Sequence, residues 1–299
     1  MHQLAKEASK TVEIKDLLYY AFTASAEIAS STSETTPATE PDPLTYKAAM
    51  ASKNKDQWIK AMQEEWEALE KMNTFEHVRE LPNGRKVIKC RWVYRRKSHP
   101  KIRYKARLVI KGFMQLYGID YQETFAPVAK IATIRLLLSC IMNGYKLHQM
   151  DVQTAFLNPD LDESVYMELP DGFVNQMTKY LRLRKALYGL KQAPRAWYRE
   201  IDQYLKSVGF TCSPYDPNLY LLNDGHTSLV LYVDDLLIAV APKHRASLSQ
   251  ITPAEILSNV NRMIKILTDK YKMTDLGTPT SFLGIQIETG DDYVKIHQT

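Results

Sequence analysis

Two adjacent aspartates, Asp234 and Asp235, interrupt the otherwise apolar, β-prone run Leu231-Tyr232-Val233-Asp234-Asp235-Leu236-Leu237-Ile238, and they restrict what this chain can build. An uncompensated buried carboxylate costs several kcal/mol or shifts its pKa until it is neutral. Two in succession therefore call for a tight turn that exposes them or a cation that they bind. The flanks, Ser228 to Leu231 and Leu236 to Val240, read as two strands of a hairpin with both acids near its tip. Asp is a common turn residue, so this octet alone leaves a surface turn and a metal site equally open.

At 299 residues, 45% of them hydrophobic, the chain holds enough apolar material for one large core or two smaller ones. No apolar run reaches the roughly 18 residues that a spanning helix requires, and no export signal opens the sequence. An intracellular setting without a membrane partner is the expectation. Cys90, Cys140 and Cys212 lie far apart and form no CxxC or Cys/His cluster, so they read as reduced, structural thiols, and no zinc site is visible.

The formal net charge is +5, but it is unevenly spread. Twelve of the 39 Lys and Arg fall between Arg85 and Lys111, a stretch without Asp or Glu, leaving 27 basic against 34 acidic residues elsewhere. Such a block is a solvated tail or a polyanion-binding element. Interleaved apolar and aromatic residues argue against a tail. Cys90 to Lys97 and Arg103 to Lys111 both approximate strand alternation, joined through Ser98 to Ile102, which predicts a basic β-hairpin suited to phosphate contact.

Along the chain, Met1 to Tyr20 carries a weak helical pattern, and Thr23 to Pro43 is rich in Ser, Thr, Ala, Glu and Pro. Residues 1–43 therefore read as a flexible lead-in and 44–299 as the globular part. Asn54 is a suitable N-cap for a helix to about Met72, with Trp58, Met62, Trp66 and Leu69 on one face. Pro127 is expected to open a second helix, striped by Ile131, Ile134, Leu138 and Ile141 and ended by Asn143-Gly144. Pro194 starts a third, carrying Trp197, Ile201, Tyr204 and Val208 and stopped by Gly209. Thr252-Pro253-Ala254-Glu255 is a capping box before a fourth, whose Ile256, Val260, Ile264, Leu267 and Tyr271 share a face. There is no regular βαβ repeat and no Walker or GxGxxG loop, which disfavours nucleotide-binding α/β folds. The fold class expected is α+β, an antiparallel sheet with helices packed on one face.

A third carboxylate to join Asp234 and Asp235 is best sought at Asp151, where the strand-like run Lys146 to Asp151 ends at an acid and turns into an expected helix through Leu157. Mg²⁺ takes oxygen ligands in near-octahedral geometry, and two such ions can activate a hydroxyl while stabilising a leaving pyrophosphate. His148 reads as a strand-face residue, since a lone His is rarely a Mg²⁺ ligand.

These residues sit in an ordered series of blocks: Arg103 to Phe113 (RYKARLVIKGF), Gly118 to Val128 (GIDYQETFAPV), Gln149 to Leu157 (QMDVQTAFL), Leu187 to Trp197 (LYGLKQAPRAW), Leu231 to Ile238 (LYVDDLLI), Met273 to Gly277 (MTDLG) and Phe282 to Ile287 (FLGIQI). In that order the chain resembles the reverse transcriptase domain of copia-type LTR retrotransposon polyproteins, over nearly everything from Pro43 onward. The resemblance implies a right-hand polymerase, with basic fingers followed by a palm containing an antiparallel sheet. Asp151 would be the first palm carboxylate and Asp234 and Asp235 the YxDD pair; Asp151 and Asp234 would bridge two Mg²⁺ ions, for which Mn²⁺ could substitute, with the Val152 carbonyl a further ligand. The implied reaction is attack of a primer 3′-hydroxyl on the α-phosphate of a deoxynucleoside triphosphate, on an RNA or DNA template.

By the same resemblance, Lys105 and Arg107 would clamp the incoming triphosphate, and Lys111 would join them or touch the template backbone. Phe156 occupies the place of an aromatic that blocks a ribose 2′-hydroxyl, with core packing as the plain alternative. Gln192 resembles a glutamine that lines the nucleotide pocket, and Arg195 is a phosphate contact or a helix cap. Phe282, Leu283 and Gly284 resemble the primer grip, although a hairpin ending at the Thr289 to Asp292 turn explains them structurally too. Lys272 is a weaker candidate for protonating the pyrophosphate.

Two departures stand out. Pro159 occupies a position where the family usually has Gly, which predicts a distorted turn after the first acid. The stretch around Ala246 to Ala254 is longer than usual. The resemblance further leads us to expect a piece of a polyprotein lacking thumb, RNase H, protease and integrase, and therefore distributive synthesis. A family member would act in cytoplasmic particles, though no address is written in the chain. Two function classes follow, an RNA-directed DNA polymerase and a catalytically inactive remnant that binds nucleic acid.

Overall fold

The computed structural model describes residues 41–97, 102–173, 178–222, 224–242, 253–290 and 293–297. The lead-in up to residue 40, the connection around Pro100, the capping Thr252, most of the long stretch from Ala246 and the turn at 291–292 lie outside the described residues. In chain order the elements are α1 (Tyr46–Ala51), α2 (Lys55–Lys71), β1 (Phe75–Val78), β2 (Val87–Ile88), β3 (Cys90–Lys97), β4 (Arg103–Ile110), α3 (Ile131–Ser139), β5 (Lys146–Val152), β6 (Tyr166–Glu168), β7 (Tyr180–Leu183), α4 (Ala193–Ser207), β8 (Phe210–Cys212), β9 (Leu219–Leu222), β10 (Thr227–Tyr232), β11 (Asp235–Val240), α5 (Pro253–Lys270), β12 (Met273–Gly277), β13 (Ser281–Phe282), β14 (Ile285–Thr289) and β15 (Val294–His297). The residues from Pro43 onward form one compact unit. No helix among the described residues is long and apolar enough to cross a membrane.

The organising element is a six-stranded sheet in the order β12-β5-β11-β10-β9-β8, with every neighbouring pair antiparallel. Strand alternation sends Leu147, Leu237 and Ala239 to one face, where they share a buried cluster with Val230, with Ile134, Leu137 and Leu138 of α3 and with Phe282, Ile285 and Ile287. Leu236, Ile238 and Val240 point to the other face and are fully buried, and α5 packs against β11 and β12. Helices therefore cover both faces, not one as expected. The extra cover comes from α3, whose apolar stripe precedes β5 directly.

A second sheet, β1-β7-β6-β2, joins Phe75–Val78 to Tyr180–Leu183, and its β2–β6 pair is parallel. It adjoins the two-stranded β3–β4 hairpin, whose alternation sorts all of its charges but one to a single face; Arg96 pairs with Tyr104 on the apolar side. Cross-strand partners share a face, so Trp92, Tyr94, Tyr104, Ala106 and Leu108 lie together, while Arg91, Arg95, Lys97, Arg103, Lys105 and Arg107 lie opposite. The first set packs on α2, where Trp58 meets Tyr94 and Tyr104 edge-on at 5.3 and 4.6 Å. Burial of Trp58, Met62, Trp66 and Leu69 matches the stripe read from the sequence.

Two local expectations are corrected. The second helix begins at Ile131 instead of Pro127, because the Lys130 N–H is capped by Asp216 Oδ2 at 2.9 Å from a distant loop. Beyond Asp151 the chain makes only a 3-10 turn, Ala155–Leu157, with Thr154 in the left-handed region at φ 57°. Backbone strain in this segment sits at Thr154, whereas Pro159 is buried with its carbonyl accepting from the Ala186 N–H at 3.2 Å. Asn158, directly before the proline, is in the right-handed helical region at φ −79° and ψ −51°, a conformation that a following proline disfavours.

Candidate catalytic centre

β10 and β11 are joined by the two residues Val233-Asp234, with Tyr232 opposite Asp235 as the closing pair. Val233 has φ 58° while Asp234 does not share a positive φ, the pattern of a hairpin turn that ordinarily takes glycine at its first central position. A β-branched residue there is strained, by about 1–3 kcal/mol. Surrounding groups hold it: the Trp197 indole N–H donates to the Val233 carbonyl at 2.6 Å, and the Val152 N–H donates to the Asp234 carbonyl at 2.8 Å. The turn is therefore fixed to α4 on one side and to β5 on the other.

β5 lies beside β11 in a register that pairs Asp151 directly with Asp235. All three acids thus share one end of the sheet. Burial raises each above the ordinary carboxylate range; Asp234 is raised further by Asp151, and Asp235 by both neighbours, to about 7. Counteracting charges come from the basic hairpin, since Lys105, Lys97 and Arg107 lower Asp151 and Arg107 also lowers Asp234. The hairpin's charged face is therefore turned toward the acids. Every donor here is a hard oxygen, the type that Mg²⁺ takes. Among the described residues no three His, Cys, Asp or Glu side chains are already gathered into a metal cage. An ion here would draw remaining ligands from backbone, water or a bound phosphate, as Mg²⁺ commonly does.

The other residues singled out in the sequence divide into two groups. Phe156, buried, meets the Tyr188 ring edge-on at 5.2 Å, and Arg107 lies over the same ring at 5.3 Å, so Phe156, Arg107 and Lys105 gather near the acids. Gln192 sits in a buried polar network, donating to the Asp120 carbonyl at 2.8 Å and to Glu163 at 3.2 Å while accepting from Gln115 at 2.9 Å. Arg195 pairs with Glu123 at 2.5 Å and donates to the Phe125 carbonyl at 3.4 Å. Lys111 lies just past β4, its N–H on the Lys89 carbonyl at 2.8 Å. Phe282 belongs to the core beneath the sheet, and Leu283 and Gly284, at φ 50° and 76°, form the two-residue turn between β13 and β14. Lys272 is exposed, and its carbonyl accepts from the Gln153 N–H at 2.9 Å. His148 is engaged with Asp275 at 2.7 Å. Sequence reasoning missed Tyr188 and the indole of Trp197, both inside the LYGLKQAPRAW block.

A family model described as reverse transcriptase (RNA-dependent DNA polymerase) matches residues 72–299, which takes in both β-hairpins and all three acids. This chain belongs to the reverse transcriptase family. Its relatives place it with copia-type retrotransposons. The retrovirus-related Pol polyprotein from transposon TNT 1-94 of Nicotiana tabacum is 39% identical over 255 residues, covering 82% of this chain and 18% of that protein. The Pol polyproteins from transposons RE2 and RE1 of Arabidopsis thaliana are 42% and 41% identical over 200 and 209 residues, each match covering 14% of the relative. The reverse transcriptase domain described here thus spans less than a fifth of each of these polyproteins. Helix α1 and the whole of α2, which supports the basic hairpin, lie before the family match begins.

Proposed function

We propose that this chain is an RNA-directed DNA polymerase that transfers a deoxynucleotide to a primer 3′-hydroxyl on an RNA or DNA template, with the basic β3–β4 hairpin as fingers and the six-stranded sheet as palm. The observation that carries this is the cross-strand pairing of Asp151 with Asp235 beside the Val233-Asp234 turn, within electrostatic reach of Lys97, Lys105 and Arg107. Mg²⁺, or Mn²⁺ in its place, would supply charge neutralisation and activation of the primer hydroxyl. Asp151 and Asp234 would hold it with Asp235 and the Val152 carbonyl nearby, and the raised carboxyl pKa values supply a reason for those acids to take a divalent cation.

Lys105 and Arg107 would receive the triphosphate, since with Lys97 they are the hairpin cations that act on Asp151. Phe156, buried in the turn after Asp151, would exclude a ribose 2′-hydroxyl. Lys111, Arg195 and the Phe282 to Gly284 hairpin would then contact template and primer, and the polyprotein's remaining domains would supply further grip on the duplex. Gln192 would act on the nucleotide pocket through the network that it shares with Asp120 and Glu163.

Magnesium-dependent primer extension on an RNA template tests the reading. Asp151→Ala and Asp234→Ala should each lower incorporation by at least about 10³-fold, as loss of a metal-holding carboxylate does. A wild-type chain that binds template in a salt-sensitive manner and incorporates nothing would favour the alternative, a nucleic-acid-binding remnant, which the six-cation face supports equally.

A further inference from the structure

We infer that Tyr188 is the positioning residue for Arg107, and that its ring presents the guanidinium to the carboxylate end of the sheet before any nucleotide arrives. The inference rests on the polymerase reading above and adds to it a residue that acts through another. Arginine side chains at an exposed strand position sample many rotamers, and a clamp that must be ordered at each binding event loses affinity. Arg107 is exposed, yet its guanidinium carbon lies 5.3 Å from the Tyr188 ring centre, within the range in which a cation is attracted to a ring face.

Phe156 holds the ring, and two backbone contacts hold the residue that carries it. Phe156 abuts it edge-on at an interplanar angle of 77°, and Phe156 is fixed to the turn that follows Asp151. The Tyr188 carbonyl accepts from the Ile110 N–H at 2.8 Å, so the last residue of β4 is bonded to the residue that faces Arg107. Gly189, at φ +92°, lies so close to β4 that a Cβ would come 2.1 Å from the Ile110 carbonyl oxygen, and a Cβ on Gly112 would come 2.0 Å from that of Gly189. Two glycines therefore let the Tyr188 loop and the end of β4 interlock backbone to backbone. Tyr188 thus lies between Arg107 of the charged hairpin and Phe156 of the turn after Asp151, with Glu65, Asp151 and Asp234 as carboxylates in electrostatic reach of its hydroxyl. That hydroxyl is pushed up to about 12, chiefly by burial, so it stays protonated at neutral pH. The part of the residue that faces Arg107 is its ring.

Steady-state primer extension with Tyr188→Leu and Tyr188→Phe, with unfolding midpoints measured in parallel, separates this role from a structural one. The expected result is a rise in KM for the deoxynucleotide of roughly 3- to 30-fold in Tyr188→Leu with a smaller change in kcat, largely recovered in Tyr188→Phe. The double variant Tyr188→Leu/Arg107→Ala should have a KM no higher than Arg107→Ala alone. An unchanged KM in Tyr188→Leu, or effects that multiply in the double variant, would overturn the inference. Absence of incorporation by the wild-type chain defeats the polymerase reading instead. In that event calorimetric binding of tripolyphosphate decides, with Tyr188→Leu weakening it if Tyr188 presents Arg107 and leaving it unchanged if not.

Discussion

Asp235→Asn should make the protein more stable at pH 8 and leave its stability nearly unchanged at pH 4. The Asp235 carboxyl is raised from an ordinary value of 3.8 to about 7, by burial first and by Asp234 and Asp151 second, with the Gln149 side chain partly offsetting them. Between those two values the folded protein holds a proton that the unfolded chain has released, so stability falls as pH rises through the window. Above about pH 7 the full penalty is present. A displacement of about three pH units corresponds to a ceiling on the order of 4 kcal/mol. Relaxation of three mutually repelling acids lowers this, and about 1–3 kcal/mol is the expected gain. Asn keeps an acceptor for Gln149 but carries no charge. Urea unfolding of both proteins at pH 4 and pH 8 in chelator reads the difference directly. Millimolar Mg²⁺ at pH 8 should then narrow the gap by stabilising the wild type more than the variant. A variant no more stable than wild type at pH 8, or a difference that does not grow with pH, would refute the reasoning.

Three further perturbations follow from contacts described above. Gly189→Ala should cost at least about 3 kcal/mol, from a left-handed φ combined with a clash against the Ile110 carbonyl, read as a lowered urea midpoint. Asp216→Ala should destabilise by about 2–4 kcal/mol, because its carboxylate accepts from the Lys130 N–H, the Thr133 hydroxyl at 2.6 Å and the Asn218 N–H at 3.0 Å; nucleotide KM should not move. Trp197→Phe removes the indole donor from the Val233 carbonyl and should cost about 1–2 kcal/mol, with a fall in incorporation because the strained turn loses its restraint.

The parts of the fold that the sequence made legible are those governed by local periodicity. The β3–β4 and β10–β11 hairpins announce themselves by alternation, and α2 and α4 by apolar stripes bounded by Asn54 and by Pro194 and Gly209. What stayed hidden depends on contacts between distant residues. Nothing near Pro127 reveals that Asp216, 86 positions away from Lys130, decides where α3 starts. The turn after Asp151 is short because Asn158 Nδ2 donates back to the Thr154 and Ala155 carbonyls, closing it before a helix can propagate. Asp151 itself could be nominated from its motif, but its register against Asp235 could not be read before the strands were paired. Tyr188 was missed for the same reason, since an aromatic beside a glycine has many ordinary explanations until β4 is seen against it. The Tyr188-Gly189 dipeptide opposite Gly112 was the available hint.

The small β1-β7-β6-β2 sheet also sets an order of events during synthesis. Glu76 and its partner Arg182 are 106 positions apart, and Trp66, which packs between Phe75 and Phe173, is completed only by a ring far downstream. At about 5–20 residues per second, a ribosome exposes the strand at Phe75–Val78 for roughly 5 to 20 s before its neighbour exists. Throughout that interval the α2 aromatics, already synthesised, and the strongly basic hairpin stand without the strands that close their base. A long polyprotein carrying this domain would thus display a cationic, aromatic-rich segment to RNA and chaperones before Asp151, Asp234 and Asp235 are brought together.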